Sequence, residues 1–102
     1  MILYNVTINI EKAVAGEWLK WMKEVHIPKI MNTGMFMENK IFRLLHEEEN
    51  GGITYAVQFY ASSMENIQNY QINYAPALQA EHNERYADQF VEFMTLLEAE
   101  KL

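Results

Sequence analysis

The chain of 102 residues has no cysteine, and only four glycines and two prolines. Without cysteine there are no disulfides, no thiolate nucleophile and no cysteine-ligated metal. Basic residues are also scarce, with 8 Lys and Arg against 14 Asp and Glu for a formal charge of −6. A chain so balanced repels phosphate backbones and anionic bilayers, and no basic cluster offsets this locally. Neither nucleic acid nor a membrane is an expected partner. The first residues, Met1-Ile2-Leu3-Tyr4-Asn5, carry no basic region and no long apolar run. No signal peptide or membrane span is expected, and the cytoplasm is the expected compartment.

What is present is hydrophobic and aromatic: half of the residues are apolar and 13% are aromatic. The whole chain reads as one domain, residues 1–102, with a single modest core. From Ile2 to Ile10 the residues alternate. Ile2, Tyr4, Val6 and Ile8 take one face and Leu3, Asn5, Thr7 and Asn9 the other, the period of a strand. Val14, Trp18, Trp21, Met22 and Val25 follow helical spacing, with Lys20, Lys23 and Glu24 on the wet side. Pro28 lacks an N–H and constrains Ile27, so the main helix is expected to end near His26. A separate turn is expected from Pro28 to about Asn32. Residues 35–48 read as a long second strand, and Glu49-Asn50-Gly51-Gly52 as a hairpin. Ile53 to Ala61 alternates again. Ser62 and Glu65 form an expected capping box for a second helix. Its inner stripe is Ile67, Tyr70, Gln71, Tyr74 and Leu78; Pro76 kinks or restarts it, and it runs to about Tyr86. The last strand, from about Gln89 to Leu97, is apolar on both faces.

The order βαββαβ specifies an α+β ferredoxin-like sandwich, a four-stranded antiparallel sheet with two helices on one face. Tyr4, Val6, Ile8, Tyr55, Val57 and Phe59 would meet the helices. The opposite face would carry Leu3, Phe42, Leu44, Ala56, Tyr60 and part of the last strand. A terminal strand apolar on both faces suits a sheet covered on both sides. A homodimer with two sheets packed into a barrel-like interior is therefore expected.

The segments Met1–Thr7, Trp18–Glu24, His26-Ile27-Pro28, Gly51–Tyr55 and Tyr74–Leu78 resemble a bacterial family of about this length that has no assigned activity. The resemblance implies the dimeric α/β-barrel fold. That superfamily includes cofactor-free quinone-forming monooxygenases, haem-degrading monooxygenases and stress-responsive barrel proteins. The haem-degrading branch has an asparagine on strand one, a tryptophan on strand three and a histidine on helix two. Asn5 matches the first. Strand three offers Tyr55, Phe59 and Tyr60 but no tryptophan, and His82 lies far along helix two. Haem degradation is not expected, and no cofactor is.

Three histidines supply side chains suited to proton transfer near neutrality. His26, at the expected helix break and near Trp21, is the candidate catalytic residue, as general base or ligand hydrogen-bond partner. A histidine at a helix C-terminus also simply complements the helix dipole. His82 stands between Glu81 and Glu84, which do not share its helix face, so a solvated face is expected and no metal site. His46 precedes three glutamates at a hairpin and reads as a surface residue. Tyr4, Tyr55, Tyr70 and Tyr74, with Trp21 and His26, are the candidate ligand-binding residues of an aromatic pocket with polar tips. The same residues would equally build an aromatic core. Arg43 could clamp a carboxylate or pair with a surface glutamate. No zinc spacing, P-loop, dinucleotide fingerprint or nucleophile elbow occurs. Two readings follow: a dimeric domain that binds a small organic or aromatic molecule, or a cofactor-independent monooxygenase or isomerase.

Overall fold

The computed structural model describes residues 1–46 and 49–102. In chain order the elements are β1 (Ile2–Ile10), α1 (Lys12–Trp21), a π turn (Met22–His26), α2 (Ile27–Met31), β2 (Glu38–Arg43), β3 (Ile53–Ala61), α3 (Met64–Asn73), α4 (Ala75–Arg85) and β4 (Phe90–Glu98). The sheet order is β2-β3-β1-β4, with every neighbouring pair antiparallel. The α segments group into two helical arms on one sheet face, so this is the ferredoxin-like α+β sandwich. Among the described residues no helix is long and apolar enough to cross a membrane.

The alternation in β1 sets the layers. Tyr4, Val6, Ile8 and Ile10 stand opposite Phe59, Val57, Tyr55 and Ile53 of β3, and opposite Leu96, Met94, Glu92 and Phe90 of β4. This shared face meets the helices. Its core is closed by Ala15 and Trp18 of α1, Met22 of the π turn, Ile27 and Ile30 of α2, Ile67 and Tyr70 of α3, and Tyr86. On the opposite sheet face Val91, Phe93 and Leu97 of β4 are exposed at one edge, and Phe42 of β2 and the adjoining Leu44 at the other.

The first helical arm does not end at His26. It widens instead: the N–H of Ile27 donates to the carbonyl of Met22, five residues back, and α2 follows without a break. The wider turn accepts Pro28, which brings no N–H and whose ring crowds a regular α turn. It also moves the inward stripe by one residue. A regular α period places Val25 inside; here Val25 is only half-buried while His26 and Ile30 are buried.

Three further boundaries differ from expectation. β2 covers only Glu38–Arg43, although backbone bonds from Met37 to Tyr60 and from Leu44 to Thr54 extend its pairing by a residue each way. The strand starts late because Phe36 leaves the sheet edge for the core, packing on Tyr4, Phe59 and Tyr70. Glu47 and Glu48, the expected end of that strand, lie outside the described residues. The cap of α3 is Ser63 rather than Ser62: Ser63 is still extended, and its hydroxyl accepts the N–H of Asn66 at 3.2 Å. Glu65 then sits one position too early to close a capping box. Pro76 restarts the second arm, at the second position of α4. The hydrogen-bond ladder nevertheless passes through, from Tyr74 to Tyr70 and from Leu78 to Tyr74.

Candidate ligand-binding site

A cavity of about 50 Å³ lies between the helices and the sheet. β1 contributes Tyr4, Val6 and Ile8 to its wall; the first arm contributes Met22, His26 and Ile30; β3 contributes Val57 and Phe59. The second arm adds Tyr70, Leu78, Gln79 and His82, and β4 adds Glu92. The wall is mostly apolar, with polar tips from two phenols, two imidazoles, an amide and a carboxylate. That composition is typical of small-ligand sites.

The two imidazoles are placed by different devices. His26 is turned inward by the π turn and stacks on Trp21, with ring centroids 4.8 Å apart and planes at 22°. His82 falls inward because α4 continues the spacing Tyr70, Leu78, His82 along the second arm. It is 2% exposed, and its Nε2 accepts the indole N–H of Trp18 at 2.9 Å. The rings lie 5.6 Å apart. Nδ1 of each is buried without a partner among the described residues. Placement of His82 on a solvated helix face is thus overturned: α4 turns its edge of Glu81 and Glu84 to water but lays His82 between Trp18 and Phe90.

Burial governs the protonation of every group here. It lowers His26 to about 4, helped by the neighbouring His82 and by Lys29 and opposed by Glu81. It lowers His82 to about 4 as well. Both rings are neutral at pH 7. Burial and the nearby Glu92 raise the Tyr4 phenol, and burial with the neighbouring Tyr4 raises Tyr70 further. Burial raises Glu92, while a hydrogen bond from the Gln79 amide opposes that rise.

The expected site residues divide into two groups. Tyr4, Tyr70 and His26 line the cavity together, and Tyr4 and Tyr70 pack edge to face at 5.7 Å. Trp21 stands behind His26, and Arg85 lies 5.3 Å from its ring centroid. Tyr55 faces the helices but is not beside Tyr4, because the register pairs Tyr4 with Phe59 and Tyr55 with Ile8. Tyr55 packs on Trp18 instead, at 5.1 Å. Tyr74 is partly exposed at the junction of α3 and α4 and does not line the cavity. The cavity also takes in His82, Gln79 and Glu92, which sequence reasoning did not single out as site residues. The helical spacing from Tyr70 through Leu78 could have found His82; strand alternation from Phe90 could have found Glu92. Arg43 is exposed on the edge strand. Asn5 faces the open side of the sheet, as the alternation from Tyr4 requires, so Asn5 and His82 do not share a site. Among the described residues no group of three or more His, Asp and Glu side chains could hold a metal ion.

The element order and sheet are those of the ferredoxin-like α+β fold. The chain belongs to the family described as Domain of unknown function (DUF4286), whose model matches residues 1–100. No curated protein matches the sequence significantly. Solved structures share the fold at low identity. A dimeric ferredoxin-like protein from an uncultured marine organism is similar with a TM-score of 0.70 and 13% identity, over 100% of this chain and 99% of that one. A point variant of MhuD with two manganese protoporphyrin IX molecules bound per active site is similar with a TM-score of 0.71 and 18% identity, over 97% and 94% of the two chains. A hydroxynitrile lyase from Passiflora edulis is similar with a TM-score of 0.64 and 12% identity, over 99% and 97%.

Proposed function

We propose that the chain is a cytoplasmic homodimer in which each subunit binds a small organic molecule in the cavity between its helices and its sheet. The carrying observation is the pair of buried imidazoles, His26 and His82, that line the cavity and whose Nδ1 atoms have no partner among the described residues. A buried polar atom without a partner costs about 1–3 kcal/mol. A core that served packing alone would be more stable with an aliphatic residue at position 26, whereas His82 also accepts the Trp18 indole N–H. Tyr4 and Tyr70 share the wall, and Trp21 fixes the His26 ring from behind. The wall is aromatic enough to receive a flat apolar part and polar enough to orient one or two heteroatoms.

A porphyrin does not fit this cavity. The space is about 50 Å³, against roughly 300–1,000 Å³ for sites of drug-sized ligands. Nε2 of His82 is taken by Trp18, and Asn5 is on the other face.

The binding reading is tested by titrating isotope-labelled protein with a library of small fragments and following its NMR spectrum. The expected outcome is selective shifts at His26, Tyr4, Ile8 and Tyr70, abolished by His26→Leu. Shifts scattered over the surface, or none, would sink it. A second reading, a cofactor-independent monooxygenase or isomerase, draws support from Glu92. Its half-buried carboxylate, raised by burial, is a better general base near neutrality than an imidazole lowered to about 4. Oxygen uptake or isomerisation across a panel of aromatic substrates, lost in Glu92→Gln, is the expected result on that reading. Loss in His26→Ala with Glu92→Gln unchanged would move the proton-handling role back to His26.

A further inference from the structure

The indole N–H of Trp18 can only donate. Nε2 of His82 receives it at 2.9 Å, so in the neutral ring the lone pair is on Nε2 and the hydrogen is on Nδ1. That Nδ1–H is buried and unpartnered among the described residues, on a side chain 2% exposed that lines the cavity. One tautomer has two consequences. A cation needs a ring lone pair, and the only one faces Trp18, so His82 is not available as a metal ligand while that bond stands. Apart from that bond the ring can act only as a donor. Glu92 brings carboxylate oxygens to the same space, steadied by the Gln79 amide. An anionic ligand would be set against that carboxylate where water screens little. The volume of about 50 Å³ accommodates on the order of four water-sized positions, at roughly 10–15 Å³ each.

We propose that the cavity takes a small uncharged hydroxy-carbonyl compound, whose carbonyl oxygen accepts the Nδ1–H of His82 and whose hydroxyl donates to Glu92. The inference rests on the binding reading above and adds the chemistry of the ligand. A carbonyl oxygen satisfies the orphaned donor, and a hydroxyl satisfies the carboxylate without adding charge. An aliphatic molecule of the same size would leave the Nδ1–H unpaired, and a carboxylic acid would oppose Glu92 with like charge.

The test uses the full chain labelled with ¹⁵N and two probes of equal size, hydroxyacetone and glycolate. Long-range proton–nitrogen correlation reads the tautomer of His82 in the free protein. The expected spectrum shows hydrogen on Nδ1; hydrogen on Nε2 would overturn the proposal. Hydroxyacetone is expected to shift the His82 Nδ1 signal and to bind at least ten times more tightly than glycolate. Glycolate binding as tightly would overturn the ligand class while leaving the cavity a binding site. Neither probe shifting any cavity signal would overturn the binding reading and this inference together. Trp18→Phe frees Nε2 and permits the other tautomer, so hydroxyacetone affinity should fall at least tenfold. The tautomer and the probe pair are measured on the unaltered chain, so the proposal stands or falls on them even if that variant does not fold.

Discussion

Two neutral imidazoles under the helices make stability depend on pH in a defined direction. His26 and His82 each drop from 6.5 to about 4 on folding. Between those values the unfolded chain binds protons that the folded chain refuses, so stability is complete above about pH 6.5 and falls as pH drops towards 4. Each ring contributes at most about 3 kcal/mol of that loss. Glu92 acts oppositely: its folded pKa is raised, so acidification relieves its burial over an overlapping range. Urea midpoints should fall from pH 7.5 to pH 4.5, and His82→Gln should flatten the slope. A flat profile in the unaltered chain would mean the rings reach solvent. Trp18→Phe, read by urea unfolding at pH 7.5, should cost about 1–3 kcal/mol because Nε2 of His82 loses its donor. At this scale the chain was partly legible. His26, Tyr4 and Tyr70 were indicated by type and spacing. His82 was not, because its glutamate neighbours in sequence resemble a wet surface, while the next turn of the helix carries the ring into the core.

At the scale of elements, the π turn decides which residues of the first arm face inward. A strict 3.6-residue period extended from Trp18 and Met22 would bury Val25 and expose Ile30. The extra residue accommodated between Met22 and Ile27 reverses this, and Ile30 is buried. Ile30→Ala should therefore cost about 2–5 kcal/mol, in the range of buried large-to-small changes, and half-buried Val25→Ala less than about 1 kcal/mol. The order is read from chemical denaturation of the two variants, and the reverse order would mean a regular helix in solution. The hairpin before β3 offers a second test. Gly52 packs against the side chain of Asn9, and a Cβ there would come within 2.4 Å of the Asn9 Oδ1. Asn9 is itself held by Asn50 and Thr54. Gly52→Ala should cost about 1–3 kcal/mol through overpacking, measured the same way. Alternation and helical spacing indicated the strand and helix order correctly, because each element repeats its signal many times. The π turn beside Pro28, the Ser63 cap on Asn66 and the departure of Phe36 for the core are each a single local event, which no repeating period encodes.

The whole molecule has a sheet with one covered and one uncovered face, and the uncovered face is layered. Across the strands one row reads Lys40, Gln58, Asn5, Thr95, and the next reads Phe42, Ala56, Thr7, Phe93. Phe93 is 63% exposed, Val91 67% and Phe42 51%. Four strands of up to nine residues span roughly 20 by 30 Å, a footprint close to the ~800 Å² per partner of a standard interface. The proposed dimer would bury these aromatics sheet against sheet, and the polar row would pair amides near the two-fold axis. Light scattering at micromolar concentration should give about twice the 12.0 kDa chain mass. Phe93→Glu places a carboxylate on each side of that interface, where desolvation and like charge both oppose association. It should give the monomer mass with the cavity intact, because Phe93 points away from the helices. A monomer in the unaltered chain would remove the dimer and leave the cavity proposal standing, since the cavity lies on the helix-covered face of the sheet and the proposed interface on the other.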